Sequence, residues 1–245
     1  MSQVGLAYIN HAFPPFDNLE FRWAFASALD RRSYIQNFLT GEEPVATGLL
    51  TPASWAYDAN IKNYTYDIAM AKQHLQSSNL PQSARRIKVQ PPGQTITADE
   101  QFWEASLKNA GISIDWGTPQ VGGSLAHVYI GQGADGTQAM LFSGFTMRLD
   151  PDGTIGQFYT QKGAYNSGQA PVPEVEPLVV QARQVYDQPQ RKALYSQIQQ
   201  KAVDMAYSCI LEYYTTSYSV ATPKVGNLSA YFGGEGKARY ANLWI

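Results

Sequence analysis

At 245 residues, 44% hydrophobic and 16% charged, the chain is long and apolar enough to bury a sizeable core and lacks the composition of a disordered segment. A net charge of -2 leaves no basic footprint for nucleic acid, and no apolar run approaches the roughly 20 residues that a membrane-crossing helix needs. The single cysteine, Cys209, excludes an internal disulfide, and its apolar neighbourhood CILEYY is that of a buried structural thiol.

Residues 4–9 read as a strand. Pro14 and Pro15 then enforce an extended segment, because proline fixes its own backbone and biases the residue before it. Asp17 or Asn18 caps a first helix, in which Phe21, Ala24, Phe25, Ala28 and Leu29 share one face. Asp30 caps a second helix with Ile35, Phe38 and Leu39 inward and Arg31, Arg32 and Gln36 outward. Gly41 stops it by tolerating a left-handed backbone. Residues 42–64 are rich in Pro, Gly, Ala and Asn and read as irregular.

Thr65 or Asp67 caps a third helix with Ile68, Ala71 and Leu75 on one face, ended by Asn79 and Pro81. Residues 86–90 make a short strand. Thr97 and Glu100 have capping-box spacing, and the helix they open turns Trp103, Leu107 and Ala110 inward and stops at Gly111. Ile112, Ile114 and Trp116 alternate as a strand does, which completes a βαβ unit. Residues 138–143 give another strand. Asp150-Pro151-Asp152-Gly153 is a turn signal, with proline presetting its φ angle and glycine supplying a positive one. Residues 173–186 are helical, with Val175, Leu178, Val179, Ala182, Val185 and Tyr186 in one stripe. A second helix starts at Pro189 with Leu194, Ile198, Ala202 and Met205 inward, and the two form a hairpin. Residues 209–214 are a buried strand, and the tail runs irregularly to Leu243 and Trp244.

The sequence carries no cofactor signature. His11, His74 and His127 are too far apart to make a ligand set, so no metal is expected. Nucleophile-elbow, zincin and phosphate-loop motifs are absent, and GGEGKAR near the end reads as a flexible loop. Asp150 and Asp152 do not continue into a calcium loop, since the twelfth position is Gln161. The Asp-Pro turn nevertheless follows the strand-like AMLFS and Phe145. It therefore lies at a strand end, where α/β proteins form clefts.

An ordered set of motifs resembles the extracytoplasmic solute-binding proteins of ABC transporters, family 5, the peptide/nickel/opine-binding class. PPFDNLEFRWAFASALDRRSYI is followed by Gly41, GLLTPASWAYD, YTYDIAMAKQHL, SLKNAGISIDW, LDPDG, RQVYDQPQRKALYSQIQQ and a final LW. The resemblance implies a mixed-sheet α/β lobe of the type II periplasmic-binding-protein-like (dipeptide-binding-protein-like) fold. It implies that residues 1–245 are one domain, the C-terminal lobe of a two-lobed protein whose N-terminal lobe is missing from this sequence, which is either an expressed fragment or one piece of a split gene. The implied role is non-enzymatic: an extracytoplasmic or periplasmic receptor that holds a peptide or other small solute, without a cofactor, and delivers it to a membrane permease.

In the family an aromatic and then an acidic residue precede the Asp-Pro turn and line the cleft. Phe145 takes the aromatic place, Thr146 and Met147 follow, and Arg148 falls near the acidic place, ahead of Asp150. A guanidinium favours a carboxylate or phosphate over an ammonium, so the implied ligand is anionic or neutral there. Asn10 matches a family Asn at the lobe junction, and Asn166 lies in a loop that borders the ligand. Two other readings use the same residues: an enzyme built on Asp150, Asp152 and Arg148, and an interaction domain using the surface of its 16 tyrosines.

Overall fold

The structure is a computed structural model that describes residues 3–89, 95–117, 139–215 and 224. His127, the GGEGKAR loop, Leu243, Trp244 and the side chain of Cys209 lie outside the described residues, as does Gln138 at the expected start of a strand.

Five strands form one sheet in the order β3-β2-β4-β1-β5. They are β1 (Gln3–Ile9), β2 (Arg86–Val89), β3 (Ser113–Trp116), β4 (Ala139–Thr146) and β5 (Cys209–Thr215). β2 runs parallel to β3 and β4, whereas β1 is antiparallel to both β4 and β5, so the sheet is mixed. β4 outruns its neighbour β2: Val89, at the end of β2, pairs with Ala139, at the start of β4.

β1 lies inside the sheet, between β4 and β5, and is buried along almost its whole length. The period of two sends Val4, Leu6 and Tyr8 to one face and Ala7 and Ile9 to the other. The second face is covered by α1 (Leu19–Ser27), α2 (Arg31–Phe38), α3 (Ile68–Ser77) and α4 (Ala98–Ala110). The first face is covered by α5 (Asp152–Phe158), α6 (Glu176–Gln184), α7 (Gln188–Asp204) and the irregular segment 44–64. Helices thus lie on both faces of one sheet, the arrangement that buries a mostly parallel sheet.

The caps follow the sequence. Asn18, rather than Asp17, accepts from the Phe21 amide at 3.1 Å; Asp30 accepts from Ser33 and Asp67 from Met70. The Glu100 carboxylate accepts from the Thr97 amide. Gly41 and Gly111 both take a positive φ.

Four expectations change. Arg31 is buried at 3% exposure rather than outward. Its guanidinium donates to the carbonyls of Ala26, Leu29 and Tyr64, and although burial pushes its pKa down to about 10, the Glu212 charge opposes that fall. The 173–186 helix is shorter, Glu176–Gln184, so Tyr186 leaves the apolar stripe and stands fully exposed. Gly153 lies within α5 without a positive φ. It is small because Arg148 Cβ would stand 2.9 Å from a Cβ there. α7 begins at Gln188, capped by Asp187, and also turns Tyr195 and Gln199 inward.

β5 contains a bulge. Gly5 pairs with Tyr213 and Leu6 with Leu211, so Glu212 has no opposite number in β1. The extra residue rotates the strand, which is why Ile210 and Tyr213 face the α1–α4 layer and Tyr214 the other. The Tyr213 ring then fills the space over Gly5, where a Cβ would meet it at 2.5 Å.

Candidate functional site

The antiparallel register of β1 divides the seven candidate residues into two groups. Gln3 pairs with both Thr146 and Thr215, so the start of β1 and the ends of β4 and β5 meet at one sheet edge. Phe145, Thr146, Met147, Arg148 and Asp150 belong to this edge. Asn10 follows Ile9, which pairs with Ala139 at the far end of β4.

At the first edge the strand dips its apolar side chains and leaves the next residues in solvent. Phe145 is 4% exposed and meets Phe158 and Tyr165 edge-on, with ring centroids 4.9 and 4.8 Å away. The Thr146 hydroxyl accepts from Gln3 Nε2 at 2.9 Å. Met147 is buried, with its sulfur accepting from the Thr51 hydroxyl. Arg148, Leu149 and Asp150 are exposed, Leu149 at 77%. The Arg148 amide donates to Thr154 Oγ1 at 2.9 Å, which ties the exposed turn to α5.

Two arginines of the helical hairpin hold the Asp-Pro turn from outside. Arg191 forks both guanidinium nitrogens onto Asp150, each at 2.9 Å, and its carbon lies 5.7 and 5.4 Å from the ring centroids of Trp55 and Tyr195. Asp150 also accepts from the Asp152 amide. Partial burial raises the Asp150 pKa, but these hydrogen bonds and the Arg191 charge outweigh it and leave the carboxyl below its usual range. Asp152 takes a different guanidinium, Arg183, at 2.8 Å. The two acids are therefore anchors of the turn, each with its own cation. A general-acid pair needs one carboxyl held protonated near neutral pH, and Asp150 is held the opposite way. Spacing gave no sign of Arg183 or Arg191 as their partners, since these contacts join residues 31 and 41 positions apart.

The second group is a closed polar knot. Asn10 is 2% exposed and accepts from the Ala12 amide. Asn166 is fully buried: its amide donates to the carbonyls of Thr160 and Ala170, and its oxygen accepts from Ser208 Oγ. Gly168 brings the Asn166 loop against Asn10, whose Oδ1 would lie 2.6 Å from a Cβ there. His11 Nδ1 accepts from the Ser208 amide. Burial, then the nearby Arg22 charge, push its pKa down to about 4 against the Pro171 carbonyl, so it is neutral. Among the described residues no cluster of three or more His, Cys, Asp or Glu is placed to hold a metal.

Comparison with known proteins matches residues 2–166 to the family described as bacterial extracellular solute-binding proteins, family 5 Middle. The probable di/tripeptide-binding protein 5 of Pseudomonas aeruginosa is 28% identical over 204 residues, which is 78% of this chain and 36% of that protein. Among solved structures, HbpA2 of Haemophilus parasuis superposes with a TM-score of 0.81 at 18% identity, over 99% of this chain and 48% of that one. The dipeptide binding protein of Pseudoalteromonas sp. SM9913, solved with Met-Leu, gives 0.79 at 20% identity, over 98% and 48%. The fold is shared, and the chain spans between about a third and a half of the length of these relatives.

Proposed function

This chain belongs to the bacterial extracellular solute-binding proteins of family 5, and from that premise we propose that residues 1–245 form the second lobe of a two-lobed receptor for an ABC importer. The receptor takes up a peptide or other small solute outside the cytoplasm and passes it to a membrane permease. It is a binding protein and not an enzyme. The named relatives are a probable di/tripeptide-binding protein and a dipeptide binding protein, which makes a short peptide the leading class of solute.

The observation that carries this reading is the shared edge of Gln3, Thr146 and Thr215. The start of β1 lies beside the end of β5, so a neighbouring lobe joined there would hang on two adjacent strand ends. The exposed residues Arg148 and Leu149 project from that same edge. A solute held there is covered from above by the other lobe when the hinge closes. Thr146 and Arg148 are the wall's polar contacts, Phe145 and Met147 pack beneath them, and Asp150 fixes the turn through Arg191. Asn10 and Asn166 hold the wall's scaffold from the other end of β1.

The charge of Arg148 sharpens the reading, because a guanidinium offers a planar fork to a carboxylate. The test is a thermal-shift screen of the two-lobed protein with di- and tripeptides, sugar phosphates and simple carboxylates, repeated on Arg148→Ala. Solutes that place an anionic group at Arg148 should lose at least about tenfold in affinity, since ~1.4 kcal/mol is a decade. The melting temperature without solute should stay where it was. Equal binding by the variant removes Arg148 from the wall.

A further inference from the structure

Beyond β5 the sheet does not end cleanly. The Ala46 amide donates to the Glu212 carbonyl at 3.2 Å, and the Tyr214 amide donates to the Pro44 carbonyl at 2.9 Å. Val45 thereby makes an antiparallel bridge with Tyr213. In such a ladder the residue between two bonded ones turns its own amide and carbonyl to the outer side. Both backbone groups of Val45 therefore face away from β5, and neither has a hydrogen-bond partner among the described residues.

They face a groove of about 730 Å³, a volume within roughly the 300–1,000 Å³ of ordinary ligand sites. Its far wall is the extended segment 63–66, tied to the near wall where Asn63 Nδ2 donates to the Ala46 carbonyl. Leu29 and Ile35 give it apolar lining. An open strand edge bordered by a groove of this kind accepts one more strand.

The lining sets two arginines, Arg31 and the exposed Arg32, against two acids, Asp30 and Glu43, so its net charge does not choose an occupant; the buried carboxylate does. Glu43 lines the groove at 8% exposure, and among the described residues its carboxylate oxygens accept only from the Thr40 hydroxyl. No Lys or Arg among the described residues pairs with it. Arg31, also in the lining, commits its N–H groups to the carbonyls of Ala26, Leu29 and Tyr64 and faces the charge of Glu212. Asp30 is engaged in capping α2. A buried carboxylate answered by one hydroxyl is stabilised by an incoming cation.

We propose that this groove is a second binding site, distinct from the solute wall, for an extended basic segment of a partner polypeptide. The segment adds as a strand to the Val45 edge and sets a lysine or arginine against Glu43. The two features are independent: the backbone edge selects a polypeptide, and the carboxylate selects positive charge.

The probe is a fluorescent heptapeptide of alternating lysine and valine, acetylated and amidated at its ends, titrated by anisotropy into the 245-residue chain. Saturable binding is expected, at least about tenfold weaker for Glu43→Gln and for Val45→Pro, which removes the outward amide. The same peptide with glutamate for lysine should not bind. Hydrogen exchange at residues 43–47 should slow when the lysine peptide saturates the chain, and this readout decides alone if Val45→Pro disturbs folding. Absence of saturable binding, equal affinity of Glu43→Gln, or unchanged exchange at 43–47 overturns the proposal.

Discussion

At its C-terminal end β1 runs into a buried polar knot, where Asn10, His11, Asn166 and Ser208 are all buried and Asn166 joins the carbonyls of Thr160, Gln161 and Ala170 to the Ser208 hydroxyl. At its N-terminal end Gln3 meets Thr146 and Thr215 at a rim where Arg148, Leu149 and Asp150 stand in solvent. The same strand therefore has a buried end and a solvent-facing end, and the proposed solute wall lies at the second. Polar residues at the first are surrounded by buried groups that lose a hydrogen bond if they change. At the second, polar residues are backed by water and by long arginine side chains that can rearrange. Burial, more than residue type, separates the two roles.

The largest expected effect that sharpens this contrast is a pH dependence at the knot. The folded pKa of His11, about 4, lies below the ordinary 6.5, so the folded chain binds fewer protons than the unfolded chain between these values. The stabilising contribution is complete above about pH 6.5 and is lost as pH falls toward 4, a change of about 3 kcal/mol from this group. Burial is the main cause, the Arg22 charge adds to it, and the Tyr207 ring packs 4.9 Å from the imidazole. Urea unfolding of the chain and of His11→Asn at pH 7.5 and 4.5 checks this; an equal pH dependence in both would place the titration elsewhere.

Next in size is Asn166→Ala. It removes the amide that donates to the carbonyls of Thr160, Gln161 and Ala170 inside the core, leaving Thr160, among the described residues, only the Gly163 amide and the Ser208 hydroxyl only the Phe158 carbonyl. A loss of about 2–3 kcal/mol in unfolding free energy is expected at neutral pH. A change under about 0.5 kcal/mol would mean that the knot is not a scaffold.

The smallest effect belongs to the rim. Asp150→Asn removes the charge that Arg191 grips, yet that carboxylate's side chain is 54% exposed and solvent screens the pair. Less than about 1 kcal/mol of stability should be lost. The visible consequence should instead be local, with faster hydrogen exchange across 148–154. A destabilisation equal to that of Asn166→Ala would erase the difference between the ends.

Much of the fold was legible in the sequence because its signals are local. Asn18, Asp30, Asp67 and Glu100 cap the helices whose starts they mark, and the β2–α4–β3 unit follows from one period change. The candidate site was less legible because register is a long-range property. Nothing near Asn10 reveals that β1 runs antiparallel to β4, yet that direction alone puts Asn10 and Arg148 at opposite ends. The motif around Asp150 is local, but its function as an anchor is written in Arg191 and Arg183, on two other helices. The outward-facing Arg31 of the helical pattern becomes a buried one only through carbonyls of the chain before and after it. Tyr186 shows the reverse error: a stripe continued in sequence past the point where the helix had ended.

The lobe reading is tested most directly by calorimetry of one solute, the best from the thermal-shift screen, against this chain alone and against the two-lobed protein. A single wall buries part of a solute, whereas tight sites bury most of it. The two-lobed protein should bind, and residues 1–245 alone should bind at least about a hundredfold more weakly, a deficit of roughly 2.7 kcal/mol. Equal, nanomolar affinity of the isolated chain would contradict it.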